Sequence, residues 1–235
     1  MLTVKQLGRK GRFANQLLQY AHLRQRAIQE NTDYCCPAWI GQKLFKLADT
    51  PITPDAVDIG FKFPLDADWY DPDLFCSLFQ AALPLNTVAE LQHAGRTVIG
   101  LHLRRGDYGT FTRRSARWAF VAPTDWYQQW LDGNLPRFAN PILYVASDEP
   151  EKVLGDFSAY DTVYPAPEWP DAPFWRDFYA LTQCDVLLIS NSTFGYVASM
   201  LNDRAMEFYR PRLGEQKLIP YDPWCGKVVF LDERY

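Results

Sequence analysis

The chain has 235 residues, of which 48% are hydrophobic and 22% are charged, and its formal net charge is −4. This composition is typical of a soluble globular protein, and the acidic balance argues against an extended nucleic-acid surface. We find no apolar run long enough to span a membrane, and the opening MLTVKQLGRKGRF lacks the apolar core of a secretory signal. The sequence therefore predicts a cytoplasmic protein that binds no nucleic acid, with peripheral membrane contact left open.

The cysteines indicate neither a disulfide framework nor a zinc site. They are odd in number and show no C-x-x-C spacing. We expect reduced, mostly buried thiols at Cys35, Cys36, Cys76, Cys184 and Cys225.

The N-terminal part of the chain begins with a predicted strand, LTVKQL, and a predicted helix, ANQLLQYAHLRQRAIQ. Leu17, Ala21 and Ile28 recur in that helix at helical spacing. A proline-containing and less regular stretch follows from about residue 50 to 95. We therefore place a domain boundary near residue 95, which divides the chain into residues 1–95 and 96–235.

The second part alternates apolar runs with helical patterns. In chain order these are VIGLHL, TDWYQQWL, PILYVAS, DEPEKVLGDF, DTVYP, PFWRDFYALTQC, VLLIS and NSTFGYVASMLN. Strand and helix in alternation predict parallel βαβ units, whose ligand-binding groups follow the carboxyl ends of the strands.

The stretch VIGLHLRRGDYG places His102, Arg104 and Arg105 where an apolar strand ends. Arginine presents a planar set of donors that matches phosphate oxygens. With Arg113, Arg114 and Arg117 these arginines form a basic island in an acidic protein, which suits a diphosphate. The alternative is a surface arginine pair with Asp107 as its salt-bridge partner.

Two further strand ends carry polar residues that could bind a ligand or could simply cap the next helix. Asn191, Ser192 and Thr193 stand at a helix start whose amides can bind phosphate, although the same residue types favour ordinary N-capping. Asp148 follows PILYVAS, and its carboxylate can accept hydrogen bonds from a base or a ribose or can cap the next element. A fourth stretch, GRKGRFANQ, is a glycine-containing turn that lets a ligand approach the backbone.

Together these motifs resemble those of a known family. The segments HLRRGDY, ASD, DFY followed by CDVLLISNSTF, and GRFANQ occur in the right order over nearly the whole chain. This combination resembles the fucosyltransferases that share an H-x-R-R-x-D motif, and most closely glycosyltransferase family 11, the α-1,2-fucosyltransferases, which are related to protein O-fucosyltransferases.

The resemblance implies an α/β, GT-B-like fold with two Rossmann-like halves and mainly parallel sheets, in which residues 1–95 form a shortened acceptor-side half. It also implies an inverting, metal-independent glycosyltransferase that moves fucose from GDP-fucose to a glycan hydroxyl, such as that of a galactoside in α-1,2 linkage. No cofactor is expected, and the implied partners are GDP-fucose and the acceptor glycan.

The resemblance also assigns catalytic residues. Arg104 and Arg105 would hold the GDP diphosphate, and Asn15 would face the reaction centre from the other half. Asp107 is the nearest candidate for a base that assists the acceptor hydroxyl. Its other role would be to fix the arginine loop by ion pairing, and the sequence does not choose between the two.

Donor-binding residues follow from the same motifs. His102 would lie against the nucleotide, and Asp148 would contact guanine or ribose. Ser192, Thr193 and Phe194 would supply the phosphate-binding helix start.

Three alternatives remain. A metal-dependent transferase would use a D-x-D motif, and the chain has two, at residues 66–68 and 71–73. A non-catalytic protein that binds a GDP-sugar or glycan would keep the donor residues without turnover. A transferase could also use another GDP-sugar.

Overall fold

The structure is a computed structural model that describes residues 1–82, 84–110, 119–153, 155–163 and 170–230. The chain divides into two compact units, Met1–Pro84 with Trp224–Val228, and Leu85–Pro223 with Val229–Tyr235. The sequence placed the boundary near residue 95, about ten residues later. Residues 85–95 belong to the second unit because Gln92 donates hydrogen bonds to the Gln183 carbonyl and to the Asp185 carboxylate.

The first unit is small and mainly helical. Its strands β1 (Leu2–Thr3) and β2 (Val57–Asp58) pair in parallel, and its helices are α1 (Phe13–Gln29), α2 (Ile40–Leu44) and α3 (Pro72–Leu78). Helix α1 is confirmed, and its first half is buried on nearly all sides, including Gln16 and Gln19. Ile28, whose spacing helped to predict the helix, is 61% exposed. The predicted strand LTVKQL is only two residues long because turn hydrogen bonds, such as Leu7 N–H to the Val4 carbonyl, fold the chain back.

The second unit is built on a six-stranded sheet. Its strands are β3 (Thr97–Leu103), β4 (Pro141–Ser147), β5 (Thr162–Val163), β6 (Val186–Leu188), β7 (Glu207–Arg212) and β8 (Lys217–Pro220). Its helices are α4 (Thr87–His93), α5 (Thr124–Asn134), α6 (Trp175–Leu181) and α7 (Thr193–Met200). The strand order is β5-β4-β3-β6-β7-β8, and all neighbours are parallel except the antiparallel pair β7–β8.

This topology matches most of the predicted alternation, with one correction. The sequence pattern predicts a helix over DEPEKVLGDF, but the described residues of that segment form two short 3₁₀ turns, Pro150–Lys152 and Gly155–Phe157. Proline and glycine interrupt the helical spacing there, since both are poor residues for a helix interior. The β7–β8 hairpin was not predicted.

The sheet is covered on both faces, as expected for parallel strands. Alternation along β3 directs Ile99, Leu101 and Leu103 into a buried apolar cluster with α5. Gly100 points the other way, where an added Cβ would meet Cys184 Sγ at 2.8 Å. The next residue on that face is His102, which therefore lies on the side of α6 and α7.

The α/β class with a mainly parallel sheet is confirmed, and the two paired strands of the first unit agree with a shortened N-terminal half. Within the described ranges, none of the helices has the length and apolar character needed to cross a bilayer.

Candidate functional site

The predicted site residues of the second unit lie at one edge of the sheet. His102 is paired in register with Ala146, and Leu101 is paired with Leu188, so β3, β4 and β6 end side by side. The residues after these strands therefore emerge together. This edge holds Arg104, Arg105, Asp148 and the turn that precedes α7.

Arg104 is held by two carboxylates. Its Nη1 lies 2.7 Å from Asp148 Oδ2, and its Nη2 pairs with Asp107 Oδ1. Its guanidinium also lies over the Tyr108 ring, 5.1 Å from the centroid. The side chain is only 11% exposed, so this is a partly buried ion-pair network and not an exposed surface pair. The loop-fixing role of Asp107 is thus observed, while its action as a base stays a prediction.

Arg105 differs from its neighbour because its partners are neutral. Its Nη1 donates to the Arg104 carbonyl at 3.2 Å, and its Nη2 donates to Thr124 Oγ1 at 2.9 Å. In the part of the chain that the structure describes, no carboxylate pairs with Arg105. Its positive charge is therefore available to an anionic ligand. Arg113, Arg114 and Arg117 lie outside the described residues.

Asp148 connects the ends of β3 and β4. Besides its ion pair with Arg104, its Oδ1 accepts a hydrogen bond from the Arg105 backbone N–H at 2.8 Å. Gly106 makes room for this carboxylate, since an added Cβ would overlap Asp148 Oδ2. Both oxygens of Asp148 thus hold the arginine loop, and its predicted contact with guanine or ribose remains untested.

His102 lies beneath this edge and is fully enclosed. Its Nδ1 is 3.0 Å from Ser190 Oγ, and its ring lies 5.1 Å from the Phe194 ring. Burial, with the nearby charge of Arg105, lowers the pKa of His102 to about 3. The imidazole is therefore neutral at physiological pH. Gly195 allows this packing, because a Cβ there would lie 2.6 Å from His102 Nδ1.

The turn before α7 is held by neutral hydrogen bonds. Ser192 is the N-cap of α7, and its Oγ accepts from the Phe194 backbone N–H at 3.3 Å. The Asn191 side chain donates to the Phe230 carbonyl and accepts from the Phe230 N–H, both at 2.8 Å. The capping interpretation is therefore observed, and Thr193 opens the helix whose amides face the edge. Phosphate binding by this turn remains a prediction.

Asn15 belongs to the first unit. It lies in the first turn of α1, directly beside Gly11, which has a φ of +78°. An added Cβ on Gly11 would meet Asn15 Cβ at 2.8 Å, so the glycine permits this close packing. The Asn15 Oδ1 is buried and accepts no hydrogen bond from the described residues. The predicted role of Asn15 at the reaction centre is not tested.

The first acid of each D-x-D motif makes a contact within the first unit. Asp66 forms an ion pair with Lys227, and Asp71 caps α3 by accepting from the Leu74 N–H at 2.8 Å. Across the described ranges, no cluster of three or more His, Cys, Asp or Glu side chains is arranged to hold a metal ion.

Two residues at the edge were not given a role from the sequence, and a third residue, Asp177 of the DFY segment, was quoted there without a role. Thr124 contacts Arg105, and Ser190 contacts His102. Asp177, on α6, accepts a hydrogen bond from Tyr144 at 3.3 Å, and burial raises its pKa to about 7. The βαβ pattern could have indicated Thr124, because a crossover helix begins at the carboxyl edge of a parallel sheet.

The geometry defines an α/β protein in which two arginines and a helix start lie at one edge of a mainly parallel sheet. The model of glycosyl transferase family 11 matches residues 75–206, which is more than half of the chain and includes this edge. The chain belongs to glycosyl transferase family 11, which confirms the family predicted from the motifs.

Individual relatives match a shorter stretch. Galactoside alpha-(1,2)-fucosyltransferase 1 of Homo sapiens is 34% identical over 109 residues, which is 45% of this chain and 29% of the relative. The corresponding protein of Saimiri boliviensis boliviensis is 33% identical over the same shares. The match therefore spans less than a third of these relatives' length. Among solved structures, NodZ alpha-1,6-fucosyltransferase soaked with GDP-fucose is 17% identical and covers 77% of this chain and 62% of that one, with a TM-score of 0.43.

Proposed function

We propose that this chain is a fucosyltransferase that moves fucose from GDP-fucose to a hydroxyl group of a glycan. The observation that carries the proposal is the convergence of Arg104, Arg105 and the start of α7 at one edge of the sheet, in a member of glycosyl transferase family 11. A nucleoside diphosphate is an anion of suitable charge and size for such an edge.

The proposed reaction is a single displacement at the anomeric carbon of fucose. The acceptor oxygen forms the new bond from the face opposite GDP, the bond to the β-phosphate oxygen breaks, and the hydroxyl proton leaves with a base or solvent. This path inverts the anomeric configuration. GDP departs with additional negative charge on its β-phosphate.

Arginines and helix amides can stabilise that charge without a divalent ion. Among the residues that the structure describes, Arg105 has only neutral partners, so its charge is the most available at the edge, and Arg104 adds a second cation within the loop. Donors that face developing charge are among the largest contributors to catalysis. We therefore propose metal-independent transfer, and the structural roles of Asp66 and Asp71 support it over a D-x-D mechanism.

The remaining site residues have proposed roles of different kinds. Phe194 would form the wall on which the nucleotide lies, and the buried, neutral His102 would support that ring from beneath. Ser192 and Thr193 would present helix amides to the phosphates. Asp148 would accept a further hydrogen bond from the guanine or ribose, because its carboxylate is partly exposed and has lone pairs beyond those used in the arginine loop.

On the acceptor side, Asp107 would assist deprotonation of the hydroxyl, or would act solely through Arg104. Asn15 would contribute from the first unit. The names of the relatives suggest a galactoside acceptor and an α-1,2 linkage. We propose the cytoplasm as the place of action.

The first experiment is calorimetric titration of the purified chain with GDP, UDP and ADP in the presence of a chelator. We expect selective binding of GDP, lost in Arg105→Ala, and release of GDP from GDP-fucose when a galactoside is added. GDP binding without turnover on any glycan would favour the non-catalytic alternative, and competition by another GDP-sugar would identify a different donor. Turnover that requires added manganese would contradict the metal-independent mechanism.

A further inference from the structure

Thr124 lies outside the predicted motifs and directly contacts one of the two arginines. It is the first residue of α5, and its Oγ1 accepts a hydrogen bond of 2.9 Å from Arg105 Nη2. The hydroxyl is not used to cap its own helix, because the N-cap is Pro123 and no side-chain cap bond forms there. The contact with Arg105 is thus the hydrogen bond that this hydroxyl makes.

The position of Thr124 is fixed by the packing of its helix. One turn further along α5, the fully buried Tyr127 donates a hydrogen bond of 3.1 Å to the carbonyl of Ile189, just after β6. Trp126, Trp130 and Leu131 of the same helix are buried in the core beneath the sheet. The start of α5 is therefore a rigid point beside the ends of β3 and β6.

The chemistry of the contact distinguishes the two arginines. Arg104 is oriented by the carboxylates of Asp107 and Asp148, which also offset its charge. Arg105 is oriented by a hydroxyl and a backbone carbonyl, which are neutral acceptors. Such partners restrict the side chain of Arg105 without offsetting its positive charge.

We propose that Thr124 is a positioning residue that orients the Arg105 guanidinium toward the diphosphate of the donor while leaving its charge available. This inference rests on the proposed function, because it assumes that Arg105 meets the diphosphate. Thr124 itself acts through Arg105, by way of the hydrogen bond that its hydroxyl accepts.

The test compares Thr124→Val with Thr124→Ser in GDP titrations. Valine keeps the shape of threonine but lacks the hydroxyl, so we expect GDP binding to weaken roughly tenfold, the usual effect of losing a hydrogen bond to a charged group. Serine keeps the hydroxyl, so binding should stay within about twofold of the wild type. Thr87→Val is a matched control at the first residue of α4, and it should leave GDP binding unchanged. Equal binding by Thr124→Val and the wild type would overturn the inference.

A double-mutant cycle separates positioning from a general structural effect. In an Arg105→Ala background, Thr124→Val should have almost no further effect on GDP binding, since the group that it orients is absent. If Thr124→Val weakens binding as much in that background as in the wild type, it acts independently of Arg105 and the inference is wrong.

A ligand-free measurement distinguishes failure of this inference from failure of the proposed function. The order parameter of the Arg105 Nε–H group, measured by NMR relaxation, should fall in Thr124→Val and be retained in Thr124→Ser. If wild-type protein does not bind GDP, the proposed function fails, while this order parameter still reports whether Thr124 restricts Arg105. An order parameter that is the same in all three proteins would overturn the positioning role.

Discussion

The loop after β3 and the turn after β6 lie side by side but are held by opposite kinds of interaction. In the β3 loop, Arg104 is paired with Asp107 and Asp148, and Arg105 adds a further cation. In the β6 turn, Ser192 and Asn191 make neutral hydrogen bonds to backbone groups. The first region therefore concentrates charge, and the second maintains the shape of a helix start.

This difference predicts that the two regions respond differently to substitution. Charge directed at a departing phosphate affects the reaction rate, whereas cap hydrogen bonds and close packing affect folding. The buried contact between His102 and Ser190 joins the two regions. Changes in the β3 loop should thus lower turnover more than stability, and changes in the β6 turn should do the reverse.

The largest effects are expected at the arginines. Arg104→Ala and Arg105→Ala should each lower turnover of GDP-fucose, by about 100-fold or more for the arginine that meets the β-phosphate. Arg104→Ala should also lower the thermal midpoint more than Arg105→Ala does, because it leaves Asp107 and Asp148 without their cation. Steady-state kinetics and thermal denaturation measure both quantities. Unchanged kinetics in both variants would refute their assignment to the diphosphate.

Two glycines, one in the loop after β3 and one in the helix that follows the β6 turn, give a matched test of the comparison between these two regions. Gly195→Ala places a Cβ 2.6 Å from His102 Nδ1 and 2.9 Å from Ile189 Cβ, both buried, so we expect roughly 1–3 kcal/mol of destabilisation. Gly106→Ala displaces the Asp148 carboxylate, which is partly exposed and can move, so it should lower turnover with little loss of stability. Denaturant unfolding and kinetics on both variants provide the comparison, and equal stability losses would contradict it.

The dependence of stability on pH should reveal two buried groups with opposite effects. The pKa of His102 falls from 6.5 to about 3 on folding. Because only the unfolded state then binds the proton, the free energy of unfolding decreases as pH falls below 6.5. The pKa of Asp177 rises from 3.8 to about 7 on folding. Because the folded state keeps the proton that the unfolded state loses, the free energy of unfolding decreases as pH rises toward 7. Each effect is at most about 1.4 kcal/mol per pH unit.

Single substitutions should therefore expose each contribution. Relative to the wild type, His102→Asn should lose stability as pH rises from 4 to 6.5, and Asp177→Asn should gain it over the same interval. Urea unfolding at several pH values measures both slopes. Parallel profiles for the two variants would mean that the groups do not titrate as their burial indicates.

Local sequence patterns were sufficient for most of the fold and for the contents of the β3 loop. The apolar runs VIGLHL and PILYVAS identified β3 and β4, and the strand-end rule placed Arg104 and Asp148 at the same edge. The pairing of Arg104 with Asp148 could not be read from the sequence, because it depends on the register between β3 and β4, which are distant in the chain. The βαβ pattern could have placed Thr124 at this edge, but its contact with Arg105 likewise depends on how distant segments pack.

The smallest expected effect concerns the cap of α7. Ser192→Ala removes the acceptor for the Phe194 N–H and should cost about 1 kcal/mol of stability. GDP binding should weaken only modestly, because the backbone amides of the helix start remain in place. Thermal unfolding and GDP titration of this variant measure the two effects. A loss of GDP affinity as large as that of Arg105→Ala, with stability unchanged, would show that the β6 turn contributes directly to binding. The β6 turn would then not act mainly through stability, as the comparison with the β3 loop predicts.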